Sequence, residues 1–319
     1  MTASVDLELE ACLKPWTTIK APNLSEVRND PIKGPANAYD RNVRRVWSLT
    51  IFPAVTINAT HIIEKRTYEK RLEYRQKIRT GRITKEQFTA VVQAAIDRDA
   101  NEREAILGAG GPAAAELLQN EARYGFGVLT AMLSRNLRHG ADAWLSAQIT
   151  GTWTAFEALA EEIWIAAVNA HPRGLAELSG AKRGGGEEKK IDLPDLQKYG
   201  YDLSTHMGTV LSRRYSFDRI EDVRRAYQEA SFDGDATINE IITDRALDAL
   251  SLTRHVIVHN GGIIDDQFLR RKSDLPPAIL GDIGDPLPLT GPITSDLVSP
   301  VMQRGWDLIS AVDSWLSAH

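Results

Sequence analysis

Two histidines and an arginine crowd into Arg254-His255-Val256-Ile257-Val258-His259-Asn260-Gly261-Gly262, where the glycines signal a helix end. His255 and His259 are four residues apart and share a helix face, whereas Arg254 and His259 diverge by about 140° at 3.6 residues per turn. Three chemistries fit these types. In the first, a histidine in the last turn is favoured by the helix dipole and Arg254 pairs with an acidic neighbour, Asp248 or Asp265, which makes a purely structural terminus. In the second, imidazoles at i and i+4 share a metal ion, with Asp265 or Asp266 as further ligands. Val256 follows His255, so the glutamate of the His-Glu-x-x-His pattern is missing. In the third, an imidazole titrating near neutrality takes the proton of a ribose 2′-hydroxyl while an arginine holds the phosphate oxygens as charge builds on them.

The helix that must carry these residues reads from Thr237-Ile238-Asn239-Glu240, a capping-box pattern. Its buried stripe is Ile238, Ile241, Ile242, Ala249, Leu250, Val256 and Ile257, and Asn260-Gly261-Gly262 supplies a left-handed C-cap. Upstream, Leu145, Ile149, Trp153, Phe156, Ala160, Ile163 and Ala167 keep a helical period until Pro172, with Trp144, Trp153 and Trp164 read as core fillers rather than a stacking platform for bases. Ser299-Pro300 is expected to open a last helix through Val301, Leu308, Ile309, Val312, Trp315 and Leu316. Between residues 195 and 230 the helical signals are weaker, and Arg213, Arg214, Arg219, Arg224 and Arg225, mixed with acids to near neutrality, read as a solvated face in preference to an RNA groove. Gly184-Gly185-Gly186 reads as a flexible surface loop; no Ser or Thr follows its lysines, so it is no Walker loop.

The N-terminal part reads as helical too. Pro15, Pro22, Pro31, Gly34 and Pro35 make residues 1 to 45 an irregular arm, and Val46 to Phe52 fits a strand or a buried helical turn. Thr60 to Arg79 is a charged helix with one narrow apolar stripe, Ile62, Ile63, Tyr68, Leu72 and Ile78. Thr84-Lys85-Glu86-Gln87 is a capping box for the next helix, and Pro112 starts another. The expectation is an all-α protein with a boundary near His139-Gly140: a mainly helical N-terminal extension, 1–140, and a helical domain, 141–319.

Arg254 to His259, on a late helix that ends in glycine, resembles the Arg-polar-x-x-x-His signature of the HEPN superfamily (higher eukaryotes and prokaryotes nucleotide-binding), and Asn260-Gly261-Gly262-Ile263-Ile264-Asp265 is similar to a continuation common in its bacterial members. The resemblance covers the C-terminal half. It implies a HEPN-like helical bundle and a metal-independent endoribonuclease that cleaves RNA by 2′-hydroxyl transesterification, leaving a 2′,3′-cyclic phosphate and using no cofactor. Arg254 would contact the phosphate, His259 would act as general base or acid, and His255 fills the polar second position. Asn260 and Glu157 are added as RNA contacts, Glu157 reading either as an auxiliary acid or as a plain helix-surface carboxylate. A homodimer with a composite site is implied as well, and twofold symmetry would let Arg254 of one subunit serve His259 of the other. Bacterial members often belong to defence or toxin systems, which adds a regulatory protein partner. The alternative is a non-catalytic HEPN-type dimerisation or nucleotide- or RNA-binding module.

Composition bounds these readings. With 43% hydrophobic and 25% charged residues the chain has the proportions of a soluble globular protein, and a net charge of -5 argues against a protein that coats nucleic acid non-specifically. A single cysteine, Cys12, forms neither an intramolecular disulfide nor a zinc cluster. With no signal-like N-terminus and no run of eighteen apolar residues, the expected setting is cytoplasmic, with no membrane partner.

Overall fold

A computed structural model describes residues 24–131, 135–176, 193–230, 232, 235–271, 279 and 281–319. The fold is all-α. The principal helices are α1 (Asp30–Glu73), α2 (Lys85–Ala109), α3 (Gly111–Ala131), α4 (Arg135–Ala170), α5 (Ile220–Glu229), α6 (Ala236–Ile242), α7 (Arg245–Asn260), α8 (Asp266–Arg271) and α9 (Gly291–Ala318). Among the described residues the one extended pairing outside them is an isolated bridge, Ile263 to Pro286. None of these helices is by itself long and apolar enough to cross a membrane. The loop at Gly184 to Gly186 lies outside the described residues.

The chain falls into two units, residues 48–140 in one and residues 18–47 with 141–319 in the other. Within the 48–140 unit, polar ties join the helices. Thr84 and Gln87 form the expected capping box at the start of α2. Arg66 on α1 grips Asp99 on α2 through two hydrogen bonds of 2.6 and 2.8 Å, and Arg103 on α2 grips Glu121 on α3 in the same way at 2.7 and 2.9 Å. The stripe expected on α1 is not buried: Ile63, Tyr68 and Leu72 are exposed, and so is Ile78 in the next turn. Its apolar residues are too sparse among charges to specify a core face, and the ion pairs set the packing instead.

The second unit carries the aromatic core. Leu145, Ile149, Trp153, Phe156, Ala160, Ile163, Trp164 and Ala167 on α4 are all buried, while Trp144 is only half-buried. The Trp164 indole donates to the Ala226 carbonyl at 2.9 Å, and the Tyr227 hydroxyl donates to the Ala160 carbonyl at 2.8 Å, so α4 and α5 are tied in both directions.

Residues 30–45, expected as an irregular arm, are instead the start of α1. Pro31 falls in the first turn, where no intrahelical N–H is needed. This segment packs on α9. Tyr39 is buried, donates to the Met302 carbonyl at 2.9 Å and lies edge-on to Trp306; a side chain at Gly305 would collide with it. Asp313 accepts hydrogen bonds from the backbone N–H groups of Arg28 and Asn29 and from the Asn29 amide. The last helix also differs from expectation, because α9 begins at Gly291 behind the Thr290 cap and runs through Pro300. Pro300 and Asp296 are exposed, so the carbonyl that loses its intrahelical donor faces solvent.

A short turn, Met207–Leu211, is pinned to α4 by the Asn169 side chain, which accepts from the Gly208 N–H at 2.7 Å. A Cβ at Gly208 would strike the Ile165 carbonyl, which is backbone and cannot rotate away. Gly208→Ala should therefore cost about 1–3 kcal/mol, read as a lowered denaturant midpoint; an unchanged midpoint would show that the approach is looser than this.

Candidate functional site

The helix expected over Thr237 to Asn260 is two helices. Asp235, not Thr237, caps α6 by accepting from the Thr237 and Ile238 N–H groups, and the chain breaks at Thr243-Asp244. Asp244 then caps α7, accepting from the Ala246 N–H at 2.8 Å, and holds Arg304 of α9 at 2.6 Å. Leu247, Leu250, Thr253 and Val256 are buried beneath α7, whereas Ile257 is half-buried.

The other end of α7 is closed as the glycines indicate. Gly261 adopts the left-handed conformation at φ 61°, and the Gly261 and Gly262 N–H groups both reach the Val256 carbonyl. Asn260 donates from its side-chain amide to Asp265 at 2.6 Å, and the other Asp265 oxygen accepts from the Phe268 N–H at 2.7 Å, starting α8. The Phe268 amide, followed by Asn260, holds the Asp265 carboxyl below the usual carboxylate range. Leu287 donates to the Gly262 carbonyl at 2.8 Å. The last turn of α7 is therefore not loosened.

Arg254, His255 and His259 nevertheless line one cleft of about 540 Å³ within a single chain, together with Asp218, Arg219, Ser251 and Arg271. On a helical wheel, Ser251, His255 and His259 advance by about 40° per step and Arg254 stands about 100° behind His255, so the cleft covers nearly half the circumference of α7. The long Arg254 side chain makes up the angle. The imidazole centroids of His255 and His259 are 4.6 Å apart, with His259 exposed and His255 half-buried. Burial, then the neighbouring His259, lowers the His255 pKa, with Asp265 pulling the other way. The His255 ring thus stays neutral to a lower pH than a free imidazole.

Arg254 is not neutralised by either carboxylate expected for it. Arg224 of α5 takes both oxygens of Asp248 at 2.9 and 2.8 Å and also donates to the Ile242 carbonyl at 2.9 Å, while Asp265 serves Asn260 and Phe268. The Arg254 Nε is buried without a hydrogen-bond partner. Glu157 of α4 does not line the cleft but feels the Arg254 charge. Burial pushes its carboxyl up, and the Arg254 charge pulls it back down. Asn260 is likewise outside the lining and is committed to the turn. Asp265 and Asp266 do not complete a metal set, and no group of three His, Cys, Asp or Glu side chains among the described residues is placed to hold an ion.

Arg219, Asp218, Gln267 and Arg271 also line the cleft. The sequence placed Arg219 and Asp218 in a mixed-charge cluster read as a solvated face, and nothing in it pointed to Gln267 or Arg271. Arg219 is the N-cap residue of α5, and its place before an amphipathic helix was the available signal. No protein-family model matches the chain, and the curated proteins and solved structures contain no match either.

Proposed function

We propose that the protein is a metal-independent endoribonuclease whose site is the cleft on α7. One observation carries the reading: Arg254 and the two histidines share a cleft, and Arg254, coupled by charge to Glu157 outside the lining, forms no ion pair among the described residues, so its guanidinium can take an anion there. A phosphodiester is the anion such an arrangement suits, because its oxygens accept from a planar guanidinium and gain charge in the transition state. His259, the exposed imidazole, takes the proton of the 2′-hydroxyl. The 2′-oxygen attacks phosphorus, the bond to the 5′-oxygen breaks, and the imidazolium returns its proton to that oxygen. The products are a 2′,3′-cyclic phosphate and a 5′-hydroxyl.

The test is labelled RNA incubated with the protein in excess EDTA. Cleavage to cyclic-phosphate ends is expected, and Arg254→Lys, which keeps the charge but loses the fork, should slow it by about tenfold. No cleavage of any RNA class would overturn the reading. A second reading, a dimerisation or binding module, is favoured by Val258 and Ile263, which are exposed apolar side chains on either side of His259 and the turn; it expects RNA binding or self-association without strand scission.

A further inference from the structure

We propose that the cleft carries a second phosphate subsite, built on Arg219, which takes the phosphate next to the scissile one on the same single strand of RNA. The inference rests on the reading of the cleft as an RNA site and adds the form of its substrate. Arg219 lines the same cleft as Arg254, is exposed, and forms no ion pair among the described residues. Two of the three acids that line the cleft beside it are ion-paired to other arginines, and the third holds a hydroxyl. Glu221 holds Arg271 at 2.8 Å, Asp222 holds Arg225 at 2.6 Å, and Asp218 accepts from the Ser216 hydroxyl. Arg254, His255, His259 and Arg219 line this one cleft, so the imidazole pair shares it with two arginines that form no ion pair among the described residues. A polynucleotide can use such a pair, one arginine for the phosphate under attack and another for its neighbour. Arg219 is the N-cap residue of α5, which fixes its backbone at the edge of the cleft. Arg254 and His255 are half-buried in this cleft, and a single strand, whose sugar and phosphate can be splayed out, is the form of RNA that reaches half-buried groups.

The test uses ligands that cannot be cleaved, so that it does not depend on catalysis: a 2′-O-methyl dinucleotide with one internal phosphodiester and the corresponding trinucleotide with two. The intact protein should bind the trinucleotide more tightly. Arg219→Ala should weaken trinucleotide binding by about tenfold, leave dinucleotide binding unchanged and lower the slope of log affinity against log salt by about 0.7, the value of one single-strand phosphate contact. Arg219→Lys should restore most of that slope. Equal affinity of the intact protein for the two ligands, absence of binding to either, or an unchanged salt slope in Arg219→Ala would each overturn the subsite. If the salt slope changes as expected but RNA is never cut, the subsite stands and the nuclease reading falls; if RNA is cut and the slope does not change, the reverse holds.

Discussion

His259→Ala should reduce RNA cleavage in EDTA by about 10²–10⁴-fold, the range that a positioned proton-transfer group supplies. The fold should survive the change. His259 is exposed, its one described contact is the His255 ring, and the helix end beneath it is closed by the Gly261 and Gly262 N–H groups on Val256. A histidine in the last turn contributes at most about 1 kcal/mol through the helix dipole, so the thermal midpoint should barely move. An internal check needs no RNA. The neighbouring His259 is one cause of the lowered His255 pKa, so removing it should let His255 titrate closer to a free imidazole, visible as an upward shift in its NMR titration midpoint. Undiminished cleavage by His259→Ala would remove the residue from the mechanism, and an unmoved His255 titration would show that the rings do not sense each other.

The largest stability effect is expected for Trp164→Ala, at about 3–5 kcal/mol. Trp164 is fully buried, packs edge-on to Tyr215 at 5.5 Å and beside Phe217 at 5.9 Å, and donates to the Ala226 carbonyl. Alanine would leave a cavity between α4 and α5 and a buried carbonyl without its donor. Trp164→Phe keeps much of the volume and loses the N–H, so it should cost less, about 1–3 kcal/mol. Because α5 carries both Arg219 and the Arg224 that restrains Asp248, partial unfolding here should weaken ligand binding at denaturant concentrations below the main transition. A loss under about 1 kcal/mol for the alanine variant would mean that the α4–α5 contact closes over the gap.

Much of this architecture is legible in the chain. The α4 core positions repeat at helical spacing because the helix is buried along most of its length, and the α7 stop is legible because a left-handed residue there favours glycine. The candidate site residues on α7 stand out because side chains of one type lie close in sequence. What sequence hides is partnership across distance. The break before α7 depends on Asp244, which looks like any helix-surface acid until Arg304, sixty positions later, is seen to hold it. The freedom of Arg254 depends on Arg224 having taken Asp248, an allocation between helices that no local pattern encodes. Arg219 was hidden in the same way, since its acidic neighbours suggest neutralisation but are paired elsewhere. Proline misled at several places, because Pro31, Pro35 and Pro53 lie inside α1 and Pro300 inside α9; at Pro31 the missing donor falls in a first turn and at Pro300 opposite solvent.

The docking of residues 28–39 onto α9 bears on when the cleft-bearing unit is completed. Tyr39 and Met302 are 263 positions apart, and Arg28 and Asp313 are 285 apart, so these bonds cannot form until Met302 and Asp313 have left the ribosome. The Asp244–Arg304 tie, which sets the start of α7, waits for the same segment. Synthesis therefore delivers α1, α4, α5 and α7 first and their shared support last, and contacts of such separation form slowly. A nascent chain would hold Arg254 and His259 without the scaffold that aligns them. That order delays completion of the cleft-bearing unit until α9 has been made.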